Sequence, residues 1–229
     1  MSDFAPIEDI GEITGSLPDD AWNELYEKLV LEAVQGGKAP GFEKARAHYF
    51  ARTGEVYADD QDYNQRMSLF LDWFIFGWKD DEGRTPAERI LSDPESGLEA
   101  LADLQHSLYE YLGDKGEHFR LRDLISGEKI FVVAGPNSPF LTKDDPFETR
   151  LISTYDGLHL VGPVCLHPGA AKKVIARRIK VLRKEYKKMP EELPARTEEL
   201  LLHLRELRTK AQRYAHVDPA KIYGEALAG

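Results

Sequence analysis

The sequence predicts an α+β protein with an N-terminal helical bundle, a small five-stranded β unit and a C-terminal helical extension. Apolar residues recur at helical spacing in the first part of the chain, short apolar runs separated by turn residues follow, and helical spacing then returns. These changes of period divide the chain into four parts. They are an acidic arm (1–18), the bundle (19–105), the β unit (106–167) and the C-terminal helices (168–229).

Composition places the chain among globular proteins. Of the 229 residues, 42% are hydrophobic and 31% are charged, and no apolar run is long enough to cross a membrane, so we expect a soluble protein without membrane insertion. Cys165 is the single cysteine, which excludes an intramolecular disulfide. The first residues lack a secretory signal, and the cytoplasm is the expected location.

The charge is distributed unevenly along the chain. Residues 1–168 carry 15 Lys+Arg and 32 Asp+Glu, a net charge of -17, whereas residues 169–229 carry 15 and 8, a net charge of +7. Such asymmetry can mark a contact with nucleic acid or a membrane, and it would also let the basic segment fold back on the acidic body. We favour the second interpretation at this stage.

Two helices are expected before residue 55. The first begins after the capping pair Asp19-Asp20 and ends at Gly36-Gly37, and the second runs from about Pro40 to Gly54. Farther on, Thr85-Pro86-Ala87-Glu88 predicts a capped short helix, and another helix is expected from Ser96 to about Gln105.

The third helix, from about Asp60, is the expected hub of the bundle. Its segment Phe70 to Trp78 holds five aromatic residues and a single charge. Apolar side chains cover nearly its whole circumference, which indicates burial on more than one side. Trp78 follows this helix and is the one aromatic residue of the run that we expect to face the β unit or a partner.

Five short apolar runs predict a five-stranded antiparallel sheet or small barrel, similar to SH3 or OB units, whose strand order is not readable. Phe119 and Phe131 are expected on the apolar side of their strands, so no aromatic stacking surface is anticipated. The runs are Ser107 to Leu112, Glu117 to Ile125, Lys129 to Ala134, Phe147 to Ser153 and Leu158 to Val164.

After residue 168, a strongly basic amphipathic helix is expected over residues 170–188, followed by a long helix from about Arg196 to Tyr214. The basic side chains are candidate binding residues, as is Trp78. The set is Lys172, Lys173, Arg177, Arg178, Lys180, Arg183, Lys184, Lys187 and Lys188.

Several phrases of the sequence form a recognisable set. They are Ala45-Arg46-Ala47-x-Tyr49-Phe50-x-x-x-Gly54, Phe70-Leu71-Asp72-Trp73-Phe74-Ile75-Phe76, Gly83-Arg84-Thr85-Pro86, Leu121-Arg122-Asp123-Leu124-x-x-Gly127 and Phe147-Glu148-x-Arg150-Leu151. Together they resemble a family of uncharacterised bacterial proteins in which a "WF-x-F" helix precedes a β unit with an "L-R-D-L-x-x-G" hairpin. The resemblance implies the helical-plus-β architecture and no activity. Some relatives carry a C-terminal cysteine/histidine metal motif that this chain lacks.

Catalytic and cofactor motifs are weak. Cys165 and His167 are close in sequence, but the favoured interpretation is a buried cysteine at a strand end. The acidic segment 59–64 lacks the glycine and glutamate of a calcium loop, and no phosphate-binding or nucleophile-elbow motif occurs. We therefore predict no cofactor, no metal and no catalytic residue.

Three functional hypotheses follow. The first is a non-enzymatic, adaptor-like protein with a regulatory role and an unidentified protein partner. The second is a nucleic-acid-binding or nucleotide-binding protein that uses the β unit and the basic helix. The third is an unrecognised enzyme, which requires Arg122, Asp123, Arg150 and His167 to meet in a cleft, and we lean against it.

Overall fold

The computed structural model of the chain describes residues 21–134, 141–143, 145–154 and 156–224, so the predicted acidic arm lies outside the described residues. The helices are α1 (Ala21–Val34), α2 (Phe42–Thr53), α3 (Tyr63–Phe76), α4 (Pro86–Leu91), α5 (Lys172–Glu185), α6 (Leu193–Arg213) and α7 (Pro219–Gly224). The strands are β1 (Gln105–Lys115), β2 (His118–Asp123), β3 (Lys129–Val133), β4 (Pro146–Thr154) and β5 (Gly157–Leu166).

Local sequence signals explain several of these boundaries. The predicted capping box is confirmed at α4, where the Thr85 hydroxyl accepts from the Glu88 amide and the Glu88 carboxylate accepts from the Thr85 amide. The helix expected from Ser96 to Gln105 is wrong. Only a short 3-10 turn forms at Glu99–Asp103, because β1 begins at Gln105 and takes over the backbone hydrogen bonds.

The five strands form one mixed sheet in the order β1-β2-β3-β5-β4, and β4 pairs again with β1, which closes the sheet. The expectation of a fully antiparallel sheet is corrected by the contact between β3 and β5, which is parallel through Val132 and Leu158. Closure explains this pair. Because β4 runs antiparallel to β1 and forms a hairpin with β5, β5 must run in the same direction as β3.

The aromatic run of α3 is the core of the helical body, as predicted. Phe70, Phe74 and Ile75 are fully buried, and the Phe42 ring packs edge-on against Phe70 and Phe74 at centroid distances of 5.3 and 5.1 Å. Ile152 and Val161 of the sheet belong to the same cluster. The bundle and the β unit therefore share a core rather than meeting at a polar boundary.

The C-terminal helices complete the packing on the other side of the sheet. Ile175 and Ile179 of α5 share a buried cluster with Leu204 of α6, Tyr223 of α7 and Leu108 of β1. Among the described helices, none combines the length and apolar character needed to cross a bilayer.

Candidate functional site

Six of the nine predicted basic residues are exposed and make neither an ion pair nor a side-chain hydrogen bond within the part of the chain that the structure describes. Five of them follow alternating four- and three-residue spacing, which places them on one side of α5 and its 3-10 continuation, and the sixth adjoins them. The six are Lys173, Arg177, Lys180, Lys184, Lys187 and Lys188.

The other three basic residues attach α5 to the body. Lys172 pairs with Glu110 at 2.9 Å, Arg178 donates to the Tyr223 carbonyl at 2.7 Å, and Arg183 donates to the Ser126 carbonyl at 2.9 Å. The acidic body thus forms an ion pair with the beginning of α5. Most cations on the outer side of α5 have no acidic partner in the described chain.

The outer side of β2 and β3 continues this basic surface. Arg120 and Phe131 face each other in register, the Lys115 ammonium lies 5.2 Å from the centre of the Phe131 ring, and Lys129 is exposed beside them. Phe131 is 48% exposed. Its expected place on the apolar side of β3 is therefore wrong. Ile130 and Val132 point inward, so Phe131 must point outward.

Contacts at the β-bulge of β1 join the sheet to α5. Gly113, at the bulge, has a φ of +113°, and the Arg120 Nη2 and Lys143 Cε atoms lie 3.3 and 3.2 Å from where its Cβ would be. The Lys143 carbonyl accepts from Lys172 at 2.7 Å. We call the exposed cations of α5, together with Lys115, Arg120, Lys129 and Phe131, the cationic face.

A groove of about 230 Å³ lies between α5 and the β2–β3 turn. Arg122, Lys180 and Arg183 bring three cations to it, and only Arg122 pairs with a carboxylate, that of Glu110 at 3.1 Å. This groove is a basic concave surface next to the cationic face.

Trp78 lies away from the cationic face. Its ring packs against Trp73 and His48 at centroid distances of 5.8 Å, and the Lys44 ammonium lies 6.0 Å from it. The structure therefore places this candidate at the edge of the helical core, half-buried, and whether it binds a partner stays a prediction.

A separate cleft of about 430 Å³ lies where α3, β1, β4, the β2–β3 turn and α6 meet. Asp123 and Arg150 line it, so two of the four residues named for an enzyme do converge. The other two do not: Arg122 lines the basic groove, and His167 is buried. The other acidic and basic residues of the lining are Asp72, His106, Glu198 and Arg205.

Two buried ion pairs form one wall of this cleft. The Arg150 guanidinium donates to both Asp72 oxygens at 2.6 and 3.0 Å, and the Asp72 carboxylate also accepts from the Tyr26 hydroxyl at 3.0 Å. Burial opposes ionisation of Asp72, but Arg150 outweighs it and lowers the pKa.

The second pair joins Glu148 of β4 to Arg205 of α6, with nitrogen–oxygen distances of 3.0 and 3.1 Å. Burial alone would raise the pKa of Glu148, but Arg205 and the nearby His106 and His167 hold it well below its usual range. Burial lowers the pKa of His106. The wall is thus a network of paired buried charges.

Glu148, Cys165 and His167 could supply metal ligands, because one ligand atom of each lies within 4.8 Å of the others. Their surroundings do not favour an ion. Arg205 already binds both carboxylate oxygens, and burial raises the pKa of the Cys165 thiol to about 12, which keeps it protonated. His167 Nδ1 lies 3.0 Å from the Tyr223 hydroxyl.

A family model described as a family of unknown function, DUF7986, matches residues 42–195. The chain belongs to this family. The match covers α2 to α5 and the whole sheet, and therefore most of both candidate sites, while Glu198 and Arg205 lie beyond it. No curated protein and no solved structure matches the chain.

Sequence reasoning missed several site residues. Exposure of Phe131 could have been deduced from the inward phase of Ile130 and Val132. The cleft could not have been deduced from the sequence, because Asp72, Asp123 and Glu198 come from distant segments and no spacing rule joins them.

Proposed function

We propose that the chain binds single-stranded nucleic acid through the cationic face. The observation that carries the proposal is an exposed aromatic ring at the centre of basic side chains, continuous with the unpaired cations of α5. Cations supply the salt-dependent attraction to phosphates, and an exposed ring offers a surface on which a base can stack.

The sheet supports this proposal by analogy. A small closed sheet of five strands is the architecture of OB folds, in which the face of strands 2 and 3 binds oligonucleotides. Here Arg120 lies on β2, and Lys129 and Phe131 lie on β3. Because a shared architecture does not establish function, the proposal depends on these side chains.

A protein partner is the weaker alternative. The large exposed apolar residues of the described chain come from separate segments, and the aromatic run of α3 is buried in the core. An adaptor would be expected to present a continuous apolar patch. The exposed apolar residues are Leu31, Tyr57, Phe131, Val181, Met189 and Tyr214.

The charge contribution can be tested with the triple variant Arg177→Gln/Lys180→Gln/Lys184→Gln. Fluorescence anisotropy with a labelled oligothymidylate, measured from 50 to 200 mM salt, gives the slope of log K against log salt. Each lost phosphate contact on a single strand lowers the magnitude of this slope by about 0.7, so we expect a decrease of about 2. A matched triple change of exposed cations on the helical body, Lys38→Gln/Arg52→Gln/Lys79→Gln, should leave the slope unchanged.

The stacking contribution can be tested with Phe131→Ala. Loss of one stacked base should weaken binding by roughly 5- to 150-fold while the salt slope stays the same. Tyr57→Ala removes a similarly exposed aromatic residue from the helical body and serves as the control. Absence of binding by the unmodified protein at 50 mM salt, or equal binding by Phe131→Ala and Tyr57→Ala, would reject the proposal.

A further inference from the structure

The cleft contains two carboxylates that have no cationic partner within the described ranges of the chain. Asp123 Oδ1 accepts only from neutral donors, namely the Ser107 hydroxyl at 2.8 Å and the Ile125 and Ser126 amides at 2.7 and 3.2 Å. Glu198 accepts from the Trp73 indole at 3.0 Å.

Neither arginine of the cleft forms an ion pair with these two carboxylates. Arg150 is held by Asp72, and Arg205 is held by Glu148, each through paired contacts of about 3 Å. Each pair is neutral as a whole. The excess charge of the lining therefore comes from the remaining acids. Burial raises the pKa of Glu198, although the Trp73 indole and the charges of Arg150 and Arg205 act against this rise.

A buried hydroxyl gives independent evidence that the cleft is built for a ligand. Thr197 lines the cleft, is 8% exposed, and its Oγ1 atom has no hydrogen-bond partner in the described structure. Buried polar atoms are almost always satisfied, and a group without a partner is expected to have one that the protein alone does not supply.

The remaining wall is apolar and closely fitted. Trp73, Phe76 and Tyr109 line it. The Arg150 guanidinium covers the Phe76 ring at 3.8 Å, which leaves Trp73 and Tyr109 as the aromatic surface for a ligand. Gly77 leaves the room that this arrangement needs, because a Cβ atom there would lie 2.5 Å from Glu198 Oε1 and 2.9 Å from the Trp73 ring. Substitution of Gly77 would therefore displace both the carboxylate and the indole.

We propose that this cleft binds a small organic amine, with its ammonium groups neutralised by Asp123 and Glu198 and its hydrocarbon part against the aromatic wall. Ammonium groups satisfy carboxylates through charge-assisted hydrogen bonds and are attracted to aromatic faces. The volume of about 430 Å³ is within the range of small-molecule sites. This site is distinct from the cationic face.

Isothermal titration calorimetry on the full chain tests this proposal with phenethylamine and 1,4-diaminobutane as probes. Their neutral analogues 2-phenylethanol and 1,4-butanediol, and the anions 3-phenylpropionate and succinate, are the comparison compounds. We expect saturable binding of at least one amine and at least tenfold weaker binding of the neutral and anionic compounds.

Two conservative variants locate the site. Glu198→Gln keeps an acceptor for the Trp73 indole, and Asp123→Asn keeps an acceptor for the turn amides, so both should fold. Each should weaken amine binding roughly tenfold or more, whereas Glu199→Gln on the exposed side of α6 should not. If no amine binds, if the anions bind equally well, or if both cleft variants retain full affinity, the proposal is wrong.

Discussion

The buried pair of Glu148 and Arg205 allows the most direct test of how this fold is held together. Glu148 has no exposed surface and Arg205 is 5% exposed, and the carboxylate receives a paired contact from the guanidinium. Glu148→Gln keeps the shape of the side chain and removes its charge, which leaves a buried guanidinium without a counterion.

The expected cost follows from two estimates. Unit charges about 4 Å apart interact by about 4 kcal/mol at an effective dielectric constant of 20. Removal of one partner from a buried ion pair typically costs about 3–5 kcal/mol. We therefore expect Glu148→Gln to lower the free energy of unfolding by about 3–5 kcal/mol, a large share of the roughly 5–15 kcal/mol of an ordinary domain.

Urea denaturation at pH 7, followed by circular dichroism, measures this loss. The double variant Glu148→Gln/Arg205→Met removes both charges, so its cost should be well below the sum of the two single costs. Glu199→Gln changes an exposed carboxylate and should leave the unfolding midpoint nearly unchanged. A loss below about 1 kcal/mol for Glu148→Gln, or additive single costs, would refute the reasoning.

Two further predictions concern the same region. Burial lowers the pKa of His106, so below about pH 6.5 the unfolded chain binds more protons than the folded protein. The free energy of unfolding should therefore fall as the pH drops below that value. His106→Gln should flatten this part of a plot of unfolding free energy against pH. Gly162 has a φ of +75°, and a Cβ atom there would lie 2.9 Å from the Tyr26 ring. Gly162→Ala should therefore lower the free energy of unfolding, measured by urea titration, by at least about 1–2 kcal/mol. An unchanged unfolding midpoint would contradict this prediction.

Periodicity was sufficient to predict most elements of this fold. The aromatic run of α3 identified the core because few arrangements can bury so much aromatic surface, and turn residues such as Asp156-Gly157 delimited the strands. For α5 the spacing predicted a basic amphipathic helix, but it did not show that Lys172, Arg178 and Arg183 contact the body.

Long-range pairing was not accessible in this way. The parallel contact of Val132 with Leu158 follows from closure of the sheet, and closure depends on contacts between segments far apart in the chain. The cleft likewise depends on Asp123 and Glu198 meeting across the fold. A carboxylate in a polar turn and one on an amphipathic helix are ordinary surface residues until the tertiary structure brings them together.

The ion pair between β4 and α6 also bears on the order of events during synthesis. Glu148 emerges from the ribosome 57 residues before Arg205, and domains tend to fold from the N-terminal side as the chain is made. Until α6 follows, the β unit holds a carboxylate whose counterion has not yet been translated. We therefore expect the closed sheet to pack stably only after the last long helix has joined it.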